Sequence, residues 1–296
     1  MNPAPGPGTT GRAKQREHPR TPRSRHRRLA ANALGLLLSA VMAFPIYWML
    51  LTAFRPAGKI QQSPPEFWPG HLTLEHFRRA IDTPTFWPNV QASVIVGVGT
   101  VLVSLLIGTL GAFAVARFSF AGRKAFVLVI LCVQMIPLAG LIIPIYLLLS
   151  DAGLTDSLLG VILTYLVFML PFTVWLIRGF IVGIPVELEE AAMVDGCTRL
   201  AAFRRVVLPL LAPGLVATSI YALIQAWNEY VLAYVLLSSN DKQTLSIWLV
   251  SFQTSFGTDY GGLMAGATLT ALPVAVFFAI VQRRVTTGLA AGAVKG

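Results

Sequence analysis

Six stretches of the chain are too long, too apolar and too poor in charge for a water-soluble domain: residues 29–54, 93–116, 125–149, 158–176, 214–238 and 261–282. At 1.5 Å of rise per residue, each has about the length a helix needs to cross a hydrocarbon core about 30 Å thick. Strands of a membrane barrel would be about ten residues long and would alternate apolar with polar positions, a pattern these stretches lack. Composition agrees. Hydrophobic residues make up 55% and charged residues 12%, where an ordinary soluble domain carries about 25% charged residues. The sequence therefore predicts an all-α membrane protein with six transmembrane helices.

Lys and Arg collect on the cytoplasmic side of membrane proteins. Here the amino-terminal tail, the loops after the second and fourth spans and the carboxyl end share 18 of them, and the opposite side has 5 against 7 acids. Both termini are thus predicted to be cytoplasmic. The same bias accounts for most of the net charge of +10, so a nucleic-acid partner is not needed to explain it. Residues 1–28 are rich in Pro, Gly, Thr and Arg and read as a disordered basic cytoplasmic tail; residues 29–296 read as one transmembrane domain. The first apolar run is too long for the core of a signal peptide and is read as a retained span. Cys132 and Cys197 lie far apart in this topology, and neither a disulfide framework nor a metal-ligand spacing follows.

Between the fourth and fifth spans, on the predicted cytoplasmic side, the chain reads IPVELEEAAMVDGCTRLAAFRRVVLPLLAPG. Pro185 suits a first helical turn, and Glu187, Glu189 and Glu190 place negative charge near the positive end of that helix. Asp195-Gly196 should end it, with Asp195 or Thr198 capping a second helix from about Arg199 to Leu208-Pro209, where the fifth span begins. The expected product is a helix–turn–helix platform with small residues at Ala191, Ala192 and Gly196, where another protein can come close.

Glu190-Ala191-Ala192, Gly196, Val206, Leu208 and Pro209 match the spacing EAA, three residues, G, nine residues, I or V, one residue, LP. This segment resembles the EAA loop of the permease subunits of bacterial ABC importers, and Asp195, Phe203 and Pro213 make it similar to their carbohydrate-uptake branch. QMIPLAGLIIPIY in the third apolar run, AWNEYVLAYVLL in the fifth and QRRVTTGLAAGAVKG at the carboxyl end extend the resemblance, to the maltose-permease type of second subunit, over nearly the whole chain beyond the tail. One departure stands at the head of the second span. The family often has adjacent Asn-Ser there; this chain has Ala92-Ser93, with Asn89 three residues before Ala92.

The resemblance implies that the loop is a cytoplasmic coupling helix docking on an ABC ATPase dimer through Glu190, Ala191, Ala192, Asp195, Gly196, Phe203, Leu208 and Pro209. It also implies a heterodimer with a second homologous permease subunit, an extracytoplasmic solute-binding protein and a sugar or oligosaccharide as solute. The chain has no GxxxxGK[ST] loop, so no cofactor is expected in it, and ATP and Mg belong to the partner ATPase. Within the lipid-embedded runs, Gln225, Asn228, Glu229 and Tyr230 in the fifth and Gln134 in the third are the candidate solute path. An ionisable group near the middle of a span must face a bundle interior or a watery route, and polar groups beside rings suit a sugar. The competing structural reading has Glu229 locking one helix to another. Pro137, Pro144, Pro171 and Pro273 suggest kinks around the path. Phe67, Trp68, Phe86 and Trp87 read as interfacial anchors or as contacts for the binding protein, a duty that residues 239–260 also suit. A glycerol phosphodiester or other polyol is the alternative solute within the same machinery, and a self-contained secondary transporter is the alternative outside it.

Overall fold

A computed structural model describes residues 22–68 and 70–293. The chain divides into two units, residues 1–48 and 49–296. Of the first, residues 1–21 lie outside the described residues, and with them most of the stretch predicted as a disordered tail. The last seven residues of that stretch are instead helical, because α1 (Pro22–Phe54) begins at Pro22. Proline fits a first helical turn and arginine is a good helix former, so the apolar helix extends backwards through the basic residues. Between Leu29 and Tyr47 the apolar side chains of α1 are exposed.

The second unit begins with the last turn of α1. Two short helices, α2 (Ala57–Ile60) and α3 (Glu75–Ile81), follow before α4 (Phe86–Arg117). Then come α5 (Arg123–Val133), α6 (Leu138–Asp151) and α7 (Leu158–Val182). The loop helices α8 (Glu187–Val194) and α9 (Arg199–Ala202) lead through a π-turn at Phe203–Val207 into α10 (Leu208–Asn228). The chain ends with α11 (Val231–Leu236), α12 (Leu245–Val250), a hairpin of β1 (Gln253–Thr254) and β2 (Gly257–Thr258), and α13 (Tyr260–Ala293). The two strands are antiparallel, pairing Gln253 with Thr258 and Thr254 with Gly257, and Phe256 at the tip is fully exposed.

At the centre α4 packs along α7 and against α10. Lipid tails are as apolar as leucine, so close approach rather than water exclusion holds such helices together. The sequence of α4 allows it through small residues at helical spacing, Ser104, Gly108 and Ala112, all buried. A Cβ on Gly108 would lie 2.4 Å from Cγ2 of Thr173 on α7, so glycine is what the contact admits. Buried apolar clusters line the two ends of this bundle. Val96, Val161, Tyr165 and Ala226 join Leu232 to Ile247 at one end; Ala112, Ile177, Phe203 and Leu211 form the other.

Among the described residues, five helices are long and apolar enough to cross a membrane, or six when α5 and α6 count as one broken span. Two predicted spans are corrected. Residues 125–149 are not one helix: α5 and α6 meet at Gln134–Pro137 with a bend of 101°. Pro137 lacks an N–H and disfavours helical geometry in the residue before it. Residues 214–238 are not one helix either, because the run starts earlier, at Arg199, and stops at Asn228. The second loop helix does not end at Leu208-Pro209 as expected but runs on into the fifth span. Leu208 N–H instead reaches back five residues to Phe203 O, and this wider turn carries the helix past Pro209, which has no N–H to offer. Among the four prolines expected to kink helices, only Pro137 stands at a break; Pro144, Pro171 and Pro273 lie inside continuous helices.

Candidate coupling loop and solute-path residues

The loop after α7 is built on one buried ion pair. Arg117, the last residue of α4, donates Nε to Oε1 of Glu189 on α8 at 2.6 Å and Nη2 to the carbonyl of Ile184 at 2.8 Å. Their side chains are only 13% and 8% exposed. One guanidinium thus binds a carboxylate in the first turn of α8 and a carbonyl just past the end of α7, which would otherwise lack a donor. Gly196 then turns the chain in the left-handed region, φ +89°, with Gly196 N–H on Met193 O and Cys197 N–H on Ala192 O. Thr198 caps α9, accepting from Ala201 N–H at 3.3 Å. Arg199 lies 5.1 Å from the Phe118 ring, and the Phe203 ring lies 4.6 Å from that of Phe113 on α4.

This frame sorts the predicted coupling residues into two groups. Glu190, Ala191, Asp195, Gly196 and Pro209 are exposed and Ala192 is half-buried, and those on α8 and the turn after it form an open ridge. Phe203 is buried and Leu208 half-buried; they fasten the ridge to the bundle. Sequence reasoning missed the neighbours that complete each group. Val194 is 88% exposed and Leu188 is also exposed, adding apolar surface to the ridge. Arg117 supplies the anchor from 72 residues away, a distance at which no local pattern signals a partner.

Of the path candidates, Gln225 and Asn228 are exposed on the last turn of α10, and Tyr230 stacks on the exposed Tyr234 with ring centroids 5.4 Å apart. Gln134 stands elsewhere, exposed at the C-terminal end of α5. Glu229 is not near the middle of a helix, as the sequence suggested, but has extended backbone and, with Tyr230, separates α10 from α11. Its carboxylate accepts from Leu232 N–H at 2.9 Å, from Ala233 N–H at 3.1 Å and from the Tyr165 hydroxyl on α7 at 2.7 Å. That is an N-terminal cap for α11 joined to a neighbouring helix. The carboxylate replaces helical bonding with its own bonds, which explains why the apolar run breaks there.

The far end of α11 is held as firmly. Asp156, in the left-handed region at φ 51°, accepts Ser238 N–H and Ser239 N–H on Oδ1 at 3.0 and 2.9 Å. Its Oδ2 accepts the Ser239 hydroxyl at 2.5 Å and Lys242 Nζ at 2.9 Å. Its own N–H donates to Leu236 O at 2.8 Å. Bonds from the Ser239 side chain and backbone, then from Lys242 and Ser238, hold the Asp156 carboxyl well below the usual carboxylate range. On α4, Ser93 Oγ accepts from Leu245 N–H at 2.7 Å. Asn89, one turn earlier, bonds the carbonyls of Asn240 and Gln243 through its amide nitrogen. The head of α4 therefore grips the segment after α11 with Asn89 and Ser93 rather than with an adjacent Asn-Ser pair.

Residues 104–290 match the family described as "Binding-protein-dependent transport system inner membrane component". A diacetylchitobiose uptake system permease protein of Streptomyces coelicolor is 46% identical over 274 residues, covering 93% of this chain and 99% of its own. A trehalose transport system permease protein of Mycobacterium tuberculosis is 32% identical, covering 89% of this chain and 96% of its own. A chain of a bacterial ABC transporter involved in importing the acidic polysaccharide alginate superposes with a TM-score of 0.75 at 21% identity, covering 89% of this chain and 98% of its own, a likeness of fold. On the family match and the first of these relatives together, the chain belongs to the binding-protein-dependent transport system inner membrane components.

Proposed function

We propose that the chain is one permease subunit of an ATP-driven, binding-protein-dependent importer that carries a sugar or oligosaccharide across the cytoplasmic membrane. The observation that carries this reading is the exposed α8 ridge clamped to two long helices at once. Arg117 ties it to the end of α4 and, through Ile184, to the end of α7, and from α9 the chain runs unbroken into α10. A push on α8 is therefore a push on three spans. An ABC ATPase dimer, which would bind the ATP and Mg, is the partner proposed for the ridge of Glu190, Ala191, Ala192, Asp195 and Gly196.

The loop is placed on the cytoplasmic side with both termini, α5 and α6 together are taken as the broken third span, and residues 29–296 as the permease domain. The ion pairs support this arrangement, since each joins segments that the charge bias assigns to one side: Arg117 with Glu189, Lys242 with Asp156, and Arg79 with Glu75 and Asp259. A second homologous permease is proposed to supply the other face of the path, and an extracytoplasmic binding protein to deliver the solute. Relatives named for diacetylchitobiose and trehalose support a sugar. Gln225, Asn228 and the Tyr230–Tyr234 pair, with hydrogen-bonding groups beside ring faces, suit its hydroxyls and its CH surfaces. Glu229 is assigned to holding α11, because its carboxylate is already engaged.

The test is uptake of labelled oligosaccharides and polyols by vesicles containing the assembled transporter, with cysteines at Ala192 and in the ATPase groove. ATP-dependent sugar uptake with a cross-link is expected. Uptake of polyol alone overturns the solute class, and transport without any cross-link overturns the docking.

A further inference from the structure

An apolar groove of about 430 Å³ runs between α4 and the α9–α10 helix, and one cation, Arg204, is among its lining residues. Its walls include Leu106, Thr109 and Leu110 from one side and Leu200, Leu208 and Leu215 from the other, with Arg204 the one charged residue among them. Leu106 and Leu110 are more than half exposed, so the groove opens sideways out of the bundle. Leu215 lies eleven residues beyond Arg204, a reach of about 16 Å along a helix. Arg199 is turned towards Phe118 and Arg205 towards Cys197. Arg204 is exposed and, among the described residues, has no ion-pair partner.

We propose that this groove binds one anionic phospholipid, its headgroup phosphate on Arg204 and an acyl chain along Leu106, Leu110, Leu208 and Leu215. One unpaired cation on an otherwise apolar groove is complementary to an amphiphile with a negative head, and a second protein helix would have to bring its own acid to Arg204. The location fits. Arg204 stands at the level of the coupling loop, where the inner leaflet presents anionic headgroups to basic pockets between helices. This placement rests on the proposed orientation of the chain, but the groove and its cation do not. A lipid seated there touches both α4, which anchors α8 through Arg117, and the helix that follows the ridge, so it would stiffen the route from ridge to span.

Native mass spectrometry of the assembled transporter, purified from membranes of phosphatidylethanolamine and phosphatidylglycerol, tests the site. One phosphatidylglycerol should be retained per copy of this chain, at least tenfold over phosphatidylethanolamine. Arg204→Gln should lower that retention tenfold or more, Arg204→Lys should keep most of it, and Leu110→Trp, which fills the groove and leaves the cation, should abolish it. If Arg204→Gln does not assemble, Arg204→Lys and Leu110→Trp decide. Equal retention of the two lipids, equal retention by wild type and Leu110→Trp, or a cross-link from a cysteine at Leu106 to the second permease would overturn the proposal. In these assays the solute and its uptake play no part, so failure of the lipid site leaves the transport reading standing and the reverse holds too.

Discussion

Two carboxylates hold two loops at opposite ends of α7, and they do it differently. Glu189, beyond the C-terminal end, has one cationic partner in a nearly dry setting. Asp156, before the N-terminal end, has four donors and is 29% exposed, with Lys242 at 43%. A single buried pair concentrates its effect in one contact, and removing one partner leaves a desolvated charge behind. A shared, hydrated cluster spreads its effect so that water replaces any one donor at small loss. The loop proposed to transmit force is therefore fixed stiffly at one point, and the loop before α7 is fixed redundantly at many.

The sharpest way to break the comparison is at Arg117. Arg117→Leu should weaken the docking of α8 by about 3–5 kcal/mol, the usual effect of orphaning a buried charge. Hydrogen exchange should rise across residues 185–196 and uptake should fall while the protein stays in the membrane. Adding Glu189→Leu should restore much of the protection, since two apolar groups replace a pair better than one. If the single variant leaves exchange in α8 unchanged, the anchor is elsewhere.

Glu229 tests whether redundancy also rules at the break between α10 and α11. Glu229→Leu strips acceptors from Leu232 N–H, Ala233 N–H and Tyr165, and an expected loss of about 2 kcal/mol reflects interhelical bonds of about 0.6–1.7 kcal/mol plus the uncapped turn. Assembled complex should decline, with uptake per complex near normal. Normal abundance with lost uptake would return Glu229 to the solute path. Tyr165→Phe should lose about a third as much.

At the ridge itself, Gly196→Val should cost about 1–2 kcal/mol locally, because a side chain in the left-handed region strains the backbone. Nothing lies within 4 Å of its Cβ position, so the strain is conformational and the α8–α9 turn should move rather than unfold. Reduced cross-linking from Ala192 with unchanged abundance is the expected reading.

The contrast also marks what the sequence discloses. Long apolar runs determine α1, α4 and α7 directly, since hydropathy needs no knowledge of neighbours. The turn at Asp195-Gly196 and the Thr198 cap are equally local and were legible. The breaks were not. Several prolines occur in the apolar runs and only Pro137 interrupts one, because a proline is tolerated wherever the turn before it can widen or find another donor. Glu229 looked like a charge in mid-span, yet its role depends on Tyr165, 64 residues away. Arg117 and Asp156, the anchors of both loops, carry no motif, and their meaning comes from partners 72 and up to 86 residues distant.

The smallest effect is expected at Asp156, and it is the one that acidity can probe. Its folded-state pKa is depressed by bonds from Ser239 first, then from Lys242 and Ser238, below the value of about 3.9 for an unfolded aspartate. The stabilisation is therefore complete above the unfolded value and is lost only as pH falls below about 4 towards the lower folded one. Between pH 5 and 8 Asp156 should stay ionised, and exchange in residues 236–242 should be flat with pH after correction for intrinsic rates. Below pH 4 protection should fade in the wild type. Asp156→Asn keeps an acceptor for Ser238 and Ser239 N–H but turns an amide towards Lys242, so it should cost less than about 1 kcal/mol and remove the acid dependence. A large loss on Asp156→Asn at pH 7 would show that the loop before α7 depends on one contact as the loop after it does, and the difference between the two ends of α7 would disappear.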